Sequence, residues 1–424
     1  MGEAISPTRN AQAASEQLSP PTENLEQDLL VVAATMLHRY GTPAYRLERV
    51  MTGLAQRLGI AADFLYTPTS LLVSFKQGLH RTRLERIEPS APELGKLIEL
   101  DSTLDEVAAK KIGCEDAMER LQQIDRSPSR YGFVAGLVAS AIGCACATIF
   151  LGGGIPEAIF AASIGSLIQL WGAFLQRYHP QEHLHEITAG FFSAAAAIVV
   201  SQLLMKMGWT TLDQGTACLG SLIILVPGFT FTVSLAELAN RHLSCGVARL
   251  AGAAVVFLAL VCGVALAWRL GAPWRIPAAA DGPALSAWIY FSAVVIAPFS
   301  FAILFQARVQ DWPIIVSTAW IGFFTSMLAT PWQGQEFGAF AGALALGAVA
   351  NLYARIWDRP TTVAQMPGIL MLVPGSLGYR SLTAFVDQNG IVGIESAFAM
   401  AIIAISIVGG LLASNLIVPP KRIL

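Results

Sequence analysis

The chain has 424 residues, of which 54% are hydrophobic and only 13% charged, with a formal net charge of -2 at neutral pH. That balance excludes an ordinary soluble protein, and the near-neutral total excludes the basic field that gathers nucleic acid or coats an anionic lipid surface. The six cysteines (Cys114, Cys144, Cys146, Cys218, Cys245, Cys262) contain no Cys-x-x-Cys pair and five lie in or beside apolar segments, so they read as small buried hydrophobes, not a disulfide or metal framework.

Most of the charge lies before Arg130 or in short spacers after it, which divides the chain into a wet first third and an apolar remainder. Residues 1–24 are polar, carry paired prolines and lack an apolar h-region; a disordered tail is expected there, not a signal peptide. From Leu25 to Gly59 apolar residues recur at helical spacing, with a break expected near Gly41-Thr42-Pro43. Short strands are expected at Ala62 to Tyr66, Ser70 to Phe75 and Arg81 to Ile87, then helices over Glu93 to Ala109 and Cys114 to Asp125. Residues 25–130 should therefore form a small cytosolic α/β domain.

From Tyr131 onward apolar windows follow one another, each near the length a helix needs to cross the hydrocarbon core. Ten are placed, at 131–151, 155–176, 187–207, 216–240, 246–269, 284–306, 313–330, 335–354, 363–385 and 391–418. Arg126, Arg130, Arg177, Arg241, Arg249, Arg308, Arg355, Arg359, Lys421 and Arg422 fall on one alternating side, against Lys206, Arg269 and Arg275 on the other. The positive-inside bias then puts both termini in the cytosol of a multi-pass cell-membrane protein.

An internal echo organises these windows. SLIILVPGFTFTVSLAEL (Ser221 to Leu238) and GILMLVPGSLGYRSLTAF (Gly368 to Phe385) each carry Leu-Val-Pro-Gly in mid-span, and Pro227 and Pro374 are 374 - 227 = 147 residues apart. Shifting spans one, three and five by that interval lands close to spans six, eight and ten. The expected fold is an α-helical polytopic membrane protein of two five-helix repeats, 131–270 and 284–418. Five is odd, so the second repeat is inverted, an architecture of secondary transporters. Pro227-Gly228 and Pro374-Gly375 should interrupt their helices and free backbone groups that hydrocarbon cannot satisfy, so they must face protein or a water-filled cavity.

Charged groups inside the spans are few and costly, which makes each a functional candidate. Glu237 follows Pro227 by ten residues and could carry a proton or meet an ammonium; Gly378, Tyr379 and Arg380 follow Pro374, and Arg380 could hold a carboxylate. The bland reading of Glu237 and Arg380 is a paired or snorkelled structural charge. Asn351 is expected to hydrogen-bond between helices. His179, His183 and His185, beside Glu182 and Glu186, are read as connector residues, so neither a metal site nor a cofactor is expected. The chain holds no Gly-x-x-x-x-Gly-Lys-Ser/Thr loop and no Gly-x-Ser-x-Gly elbow, so gradient-driven transport by a non-enzyme is the expectation.

Three segments resemble the threonine/serine exporter family: GTPAYRLERV (Gly41 to Val50), LVPGFTFTVSLAELANRHLSCGVARL (Leu225 to Leu250) and LVPGSLGYRSL (Leu372 to Leu382). The family's Gly-x-x-x-x-Arg-x-Glu motif is matched by Gly41, Arg46 and Glu48. Its first-half motif is matched by Pro227, Gly228, Cys245, Gly246, Arg249 and Leu250, and its second by Pro374, Gly375, Gly378, Tyr379 and Arg380. Where members often carry an Asn and an Asp after the first Pro-Gly, this chain has Val233, Ser234 and Glu237. The resemblance implies export of small amino acids by an antiport or proton-coupled mechanism. The expected partners are the small-molecule substrate, protons, the lipid bilayer and a second copy of the chain in a homo-oligomer. Related two-subunit members imply C4-dicarboxylates instead. A passive channel or scaffold is the competing class.

Overall fold

The computed structural model describes residues 25–76, 81–88, 90–178, 182–208, 212–274, 285–373, 375–386 and 389–419. The tail at 1–24, Pro374 and His179 lie outside them.

The first part is built as the sequence pattern directs. Helices α1 (Leu25–Arg39) and α2 (Ala44–Arg57) flank a turn in which Gly41 takes a left-handed φ of 95°, a conformation glycine reaches without steric cost. A Cβ at Gly41 would also lie 2.9 Å from Pro92 Cβ. The apolar face of α2 buries Leu47, Val50, Met51, Leu54 and Ala55, the three-to-four spacing of one helical stripe. Strands β1 (Ala62–Thr67), β2 (Ser70–Phe75) and β3 (Arg81–Arg86) make an antiparallel sheet in the order β1-β2-β3, with Ala62 opposite Phe75 and Phe75 opposite Arg81. Leu71, Val73 and Phe75 alternate inward from β2. Helices α3 (Leu94–Ala108) and α4 (Cys114–Arg126) complete this N-terminal domain.

Long helices follow: α5 (Phe133–Phe150), α6 (Ile155–Tyr178), α7 (Glu182–Lys206), α8 (Gln214–Leu222), α9 (Gly228–Ala239), α10 (Leu243–Leu270), α11 (Ala287–Leu304), α12 (Trp312–Gln333), α13 (Gln335–Trp357), α14 (Thr361–Leu372), α15 (Gly375–Val386) and α16 (Gly390–Ile417). Among the described residues eight of these (α5, α6, α7, α10, α11, α12, α13 and α16) are long and apolar enough to cross a membrane. The windows at 216–240 and 363–385 are each two shorter helices, α8 with α9 and α14 with α15, parted at Leu-Val-Pro-Gly. Large apolar side chains such as Val134, Leu167, Leu258, Ile405 and Leu416 stand outward on the long helices, as a hydrocarbon solvent requires.

Packing pairs α7 with α10 and α13 with α16, α6 with α8 and α12 with α14, α9 with α10 and α15 with α16. The halves meet where α5 packs on α11, where α9 reaches α14, α15 and α16, and where α15 packs on α10. Asn351 of α13 donates to Asn415 Oδ1 and to the Val418 carbonyl, both at 2.9 Å, tying α13 to the end of α16.

The N-terminal domain docks on one face, called proximal below. The N–H groups of Leu94 and Gly95, orphan donors at the start of α3, donate to the carbonyls of Phe305 and Gln306 just past α11, at 2.9 and 3.2 Å. Tyr131 donates its hydroxyl to the Ala307 carbonyl at 2.8 Å, and the Cys245 thiol donates to the Tyr66 carbonyl at 3.3 Å.

Candidate functional site

The two helix breaks touch. A Cβ on Gly228 would fall 2.8 Å from Gly375 Cα, and one on Gly375 would fall 3.4 Å from Gly228 Cα and 3.0 Å from Val226 Cγ1. Backbone therefore meets backbone, which only glycine permits at this separation. Pro227 starts α9, where its missing N–H costs nothing, and its carbonyl accepts the Phe231 N–H at 2.9 Å. Both α9 and α15 begin at this meeting point, so two helix N-termini with their positive dipole ends converge there.

A cavity lies on each side of the meeting point. The proximal one, about 130 Å³, lies between the N-terminal domain and the two halves; Phe229 and Ile369 approach the breaks, and Arg46, Arg49, Asn240, Thr361, Gln365 and Asn415 supply polar lining. The distal cavity, about 650 Å³, is lined by Met371, Leu372, Ser376 and Leu377 beside the second break and by Ser326, Thr330 and Gln335 of α12 and α13. Arg380 is the one charged residue among its lining groups.

The remaining sequence candidates fall into three places. Tyr379 is buried, with its hydroxyl 3.5 Å from the Cys218 sulfur of α8, so α15 reaches into the core of the first half. Gly378 sits where a Cβ would press on Met400 and the ring of Phe257, making it a close-packing glycine between α10 and α16. Glu237 is fully buried and accepts from Arg249 Nε at 3.0 Å and Arg249 Nη2 at 3.1 Å. Its Oε1 also accepts the Ala44 N–H at 3.3 Å, so this carboxylate sits at the N-terminus of α2 and anchors the N-terminal domain to the first half.

The Gly41/Arg46/Glu48 motif is the other part of that joint. Gly41 turns the chain into α2. Arg46 Nη1 donates to Thr361 Oγ1 at 2.6 Å and Thr362 Oγ1 at 2.8 Å, at the start of α14 in the second half. Glu48 lies 3.5 Å from His242 Nδ1 beside α10 in the first half. One helix of the N-terminal domain thus holds both helical halves. Burial lowers the tendency of the Arg46 guanidinium to carry its proton, and neighbouring Asp101 opposes that. Burial also pushes the Asp101 carboxyl of α3 up to about 7, against the pull of Arg46 and with Asp105 and Asp358 reinforcing the rise.

Sequence reasoning missed Arg49, Asp101, Thr361 and Thr362. Arg49 had a signal, since it follows Arg46 by three residues and shares its helix face. Asp101 had none, because its neighbours come from distant segments.

Helices of membrane-crossing length, two of the apolar windows interrupted at matching Pro-Gly sequences, and cavities on both sides define a polytopic helical membrane protein. The chain belongs to the threonine/serine exporter family: residues 28–271 match one threonine/serine exporter family model and residues 290–417 match a second, described as Threonine/Serine exporter, ThrE. It is similar to "Pheromone-regulated membrane protein 10" of Eremothecium gossypii, 28% identical over 423 residues, covering 90% of this chain and 54% of that protein. The protein of the same name from Saccharomyces cerevisiae is 26% identical over 416 residues, covering 91% of this chain and 53% of that protein. In Candida albicans the figures are 28% over 358 residues, 81% and 32%. The chain thus spans about half the length, or less, of these curated relatives. No solved structure matches.

Proposed function

We propose that the protein is a secondary transporter, not an enzyme, that exports small amino acids such as threonine and serine across the cell membrane, driven by the proton gradient. In this reading the chain crosses the bilayer ten times as two inverted five-helix repeats, with both termini and the proximal face in the cytosol. The matched packing supports the repeat, since the element pairs within 131–270 have counterparts within 284–418 and the crossed contacts α9 with α16 and α15 with α10 are mirror images.

The observation that carries the reading is the contact between Gly228 and Gly375 with a cavity on each side of it. Two separate cavities, one reaching Phe229 beside the first break and the other Ser376 beside the second, suit alternating access better than a continuous passive pore or a scaffold. Convergent helix N-termini, with Arg380 in the distal cavity, suit a solute that carries a carboxylate. A C4-dicarboxylate such as succinate is the second reading, favoured by the two arginines of the proximal cavity.

Efflux of labelled threonine, serine and succinate from loaded cells tests this, using wild type and Arg380→Ala with and without a protonophore. The expected result is saturable threonine or serine efflux that falls at least tenfold in the variant and collapses with the protonophore. Succinate efflux alone would shift the substrate assignment, and flux of none of the three above the empty-vector control would overturn the transporter reading.

A further inference from the structure

The proximal cavity has a charge imbalance that the mechanism above does not use. Its lining contains two guanidinium groups, Arg46 and Arg49, and no Asp or Glu. The nearest acids are otherwise placed: Glu237 is engaged by Arg249, and Glu48 faces His242. Asp101, the acid that acts most strongly on Arg46, is 5% exposed and lies outside the lining, its carboxyl pushed up to about 7 by burial.

Arg46 is held by two neutral hydroxyls on Nη1, while its buried Nη2 has no hydrogen-bond partner. Arg49 has no ion-pair partner among the described residues. Neutral oxygens position the Arg46 guanidinium without cancelling its charge, and its buried Nη2 is costly until an anion joins it, whereas Arg49 is exposed and offers a solvated charge beside it. The apolar wall formed by Val50, Phe229, Met366, Ile369 and Leu411 excludes a large hydrated ion, and a cavity of about 130 Å³ has room for a small solute, not a peptide.

We propose that Arg46 and Arg49 of the N-terminal domain form the anion-binding pair of the proximal cavity. It takes a small organic carboxylate and holds a dianion more tightly than a zwitterion of the same size. The soluble domain is then a wall of the binding site and no mere appendage. Thr361 and Thr362 aim Arg46, leaving Nη2 for one carboxylate oxygen, and Arg49 on the same helix face supplies the second charge. A zwitterion finds no carboxylate in the lining to receive its ammonium, which is why its hold is weaker. The proposal rests on the transporter reading for its biological purpose, but the binding it asserts is independent of flux.

Equilibrium binding to the purified full-length protein in detergent tests it, with succinate, threonine and the uncharged 1,4-butanediol as probes at low and high salt. Arg49→Gln is the informative variant because Arg49 is exposed, lines the cavity and makes no hydrogen bond or ion pair among the described residues; its melting temperature should match wild type. Succinate should bind saturably to wild type, more tightly than threonine, and butanediol should not bind. Succinate affinity should drop about tenfold or more in Arg49→Gln, the loss expected for one charge-assisted contact. Its salt dependence should shrink as well. Undetectable succinate binding to wild type, or an unchanged affinity in a folded Arg49→Gln protein, would overturn the site. The same variants in the efflux assay separate the two ideas: saturable flux with unchanged succinate affinity in Arg49→Gln removes this site and leaves transport standing. Arginine-dependent binding without any flux keeps the site and removes transport.

Discussion

At the scale of single residues, the buried charge of Glu237 is satisfied by specific partners. Glu237 has no solvent exposure, and both its oxygens accept from Arg249 while one also accepts the Ala44 N–H. Removing one partner of such a pair leaves the other charge buried, which costs on the order of 3 kcal/mol. The effect should fall somewhat below that figure because the Arg249 side chain is 25% exposed. Glu237→Ala should therefore lower the melting temperature of the purified protein by several degrees, and Glu237→Ala with Arg249→Ala should recover part of the loss. A single variant that melts with wild type would show that the pair contributes nothing. Asp101 gives a pH signature: its folded carboxyl titrates near 7 against 3.8 for an ordinary one. The fold favours the neutral form, so the contribution is whole below about pH 4 and is lost as pH rises through about 7. Thermal stability should fall between pH 5 and pH 8, and Asp101→Asn should flatten that fall; an identical slope in the variant would assign it to other groups. The role of Asp101 was not legible in advance, and that of Glu237 only as the bland reading of a paired charge. Glu237 was visible as an intramembrane charge, but its partner Ala44 is 193 positions away, and no local pattern encodes such a contact.

At the scale of elements, the sequence was far more informative. The turn at Gly41, the alternation in β2 and the spacing of apolar residues in α2 are local properties, and the helices and strands formed where those patterns placed them. The two Leu-Val-Pro-Gly segments predicted interruptions at 227 and 374; α9 begins at Gly228, α14 ends at Leu372 and α15 begins at Gly375. What could not be read was that the interruptions meet, since helix packing and not helix propensity sets that contact. Gly228→Ala tests its importance: the new methyl would lie 2.6 Å from Val373 Cγ1 and 2.8 Å from Gly375 Cα, so one of the broken helices has to shift. Efflux should fall more than tenfold while the protein still inserts and expresses. Full activity in Gly228→Ala would mean that the close approach of the breaks is incidental.

For the whole molecule, two cavities on opposite faces predict two-sided reactivity. Cysteines placed at Thr330 in the distal cavity and Thr232 in the proximal one, in a background lacking the six native cysteines, should react with a membrane-impermeant thiol reagent from opposite sides of sealed vesicles. An excess of transported solute should change both rates in opposite directions. Labelling of both from the same side would dismiss the division into two cavities. This arrangement was only half legible: hydropathy and the charge of short loops indicated a wet domain followed by apolar helices, but nothing in those signals placed that domain across the two halves.

The bridge from Arg46 to Thr361 has a consequence in time. Its ends are 315 residues apart in sequence. At about 5–20 residues per second of synthesis, the arginine waits roughly 15 to 60 s for its acceptors to be made. Through that interval the N-terminal domain can anchor to the first half but has nowhere to seat its guanidinium in the second. Seating of Arg46 therefore comes late in biogenesis, and a nascent chain in which α14 fails to insert is left with an unseated arginine, open to the proteases and chaperones that survey new membrane proteins.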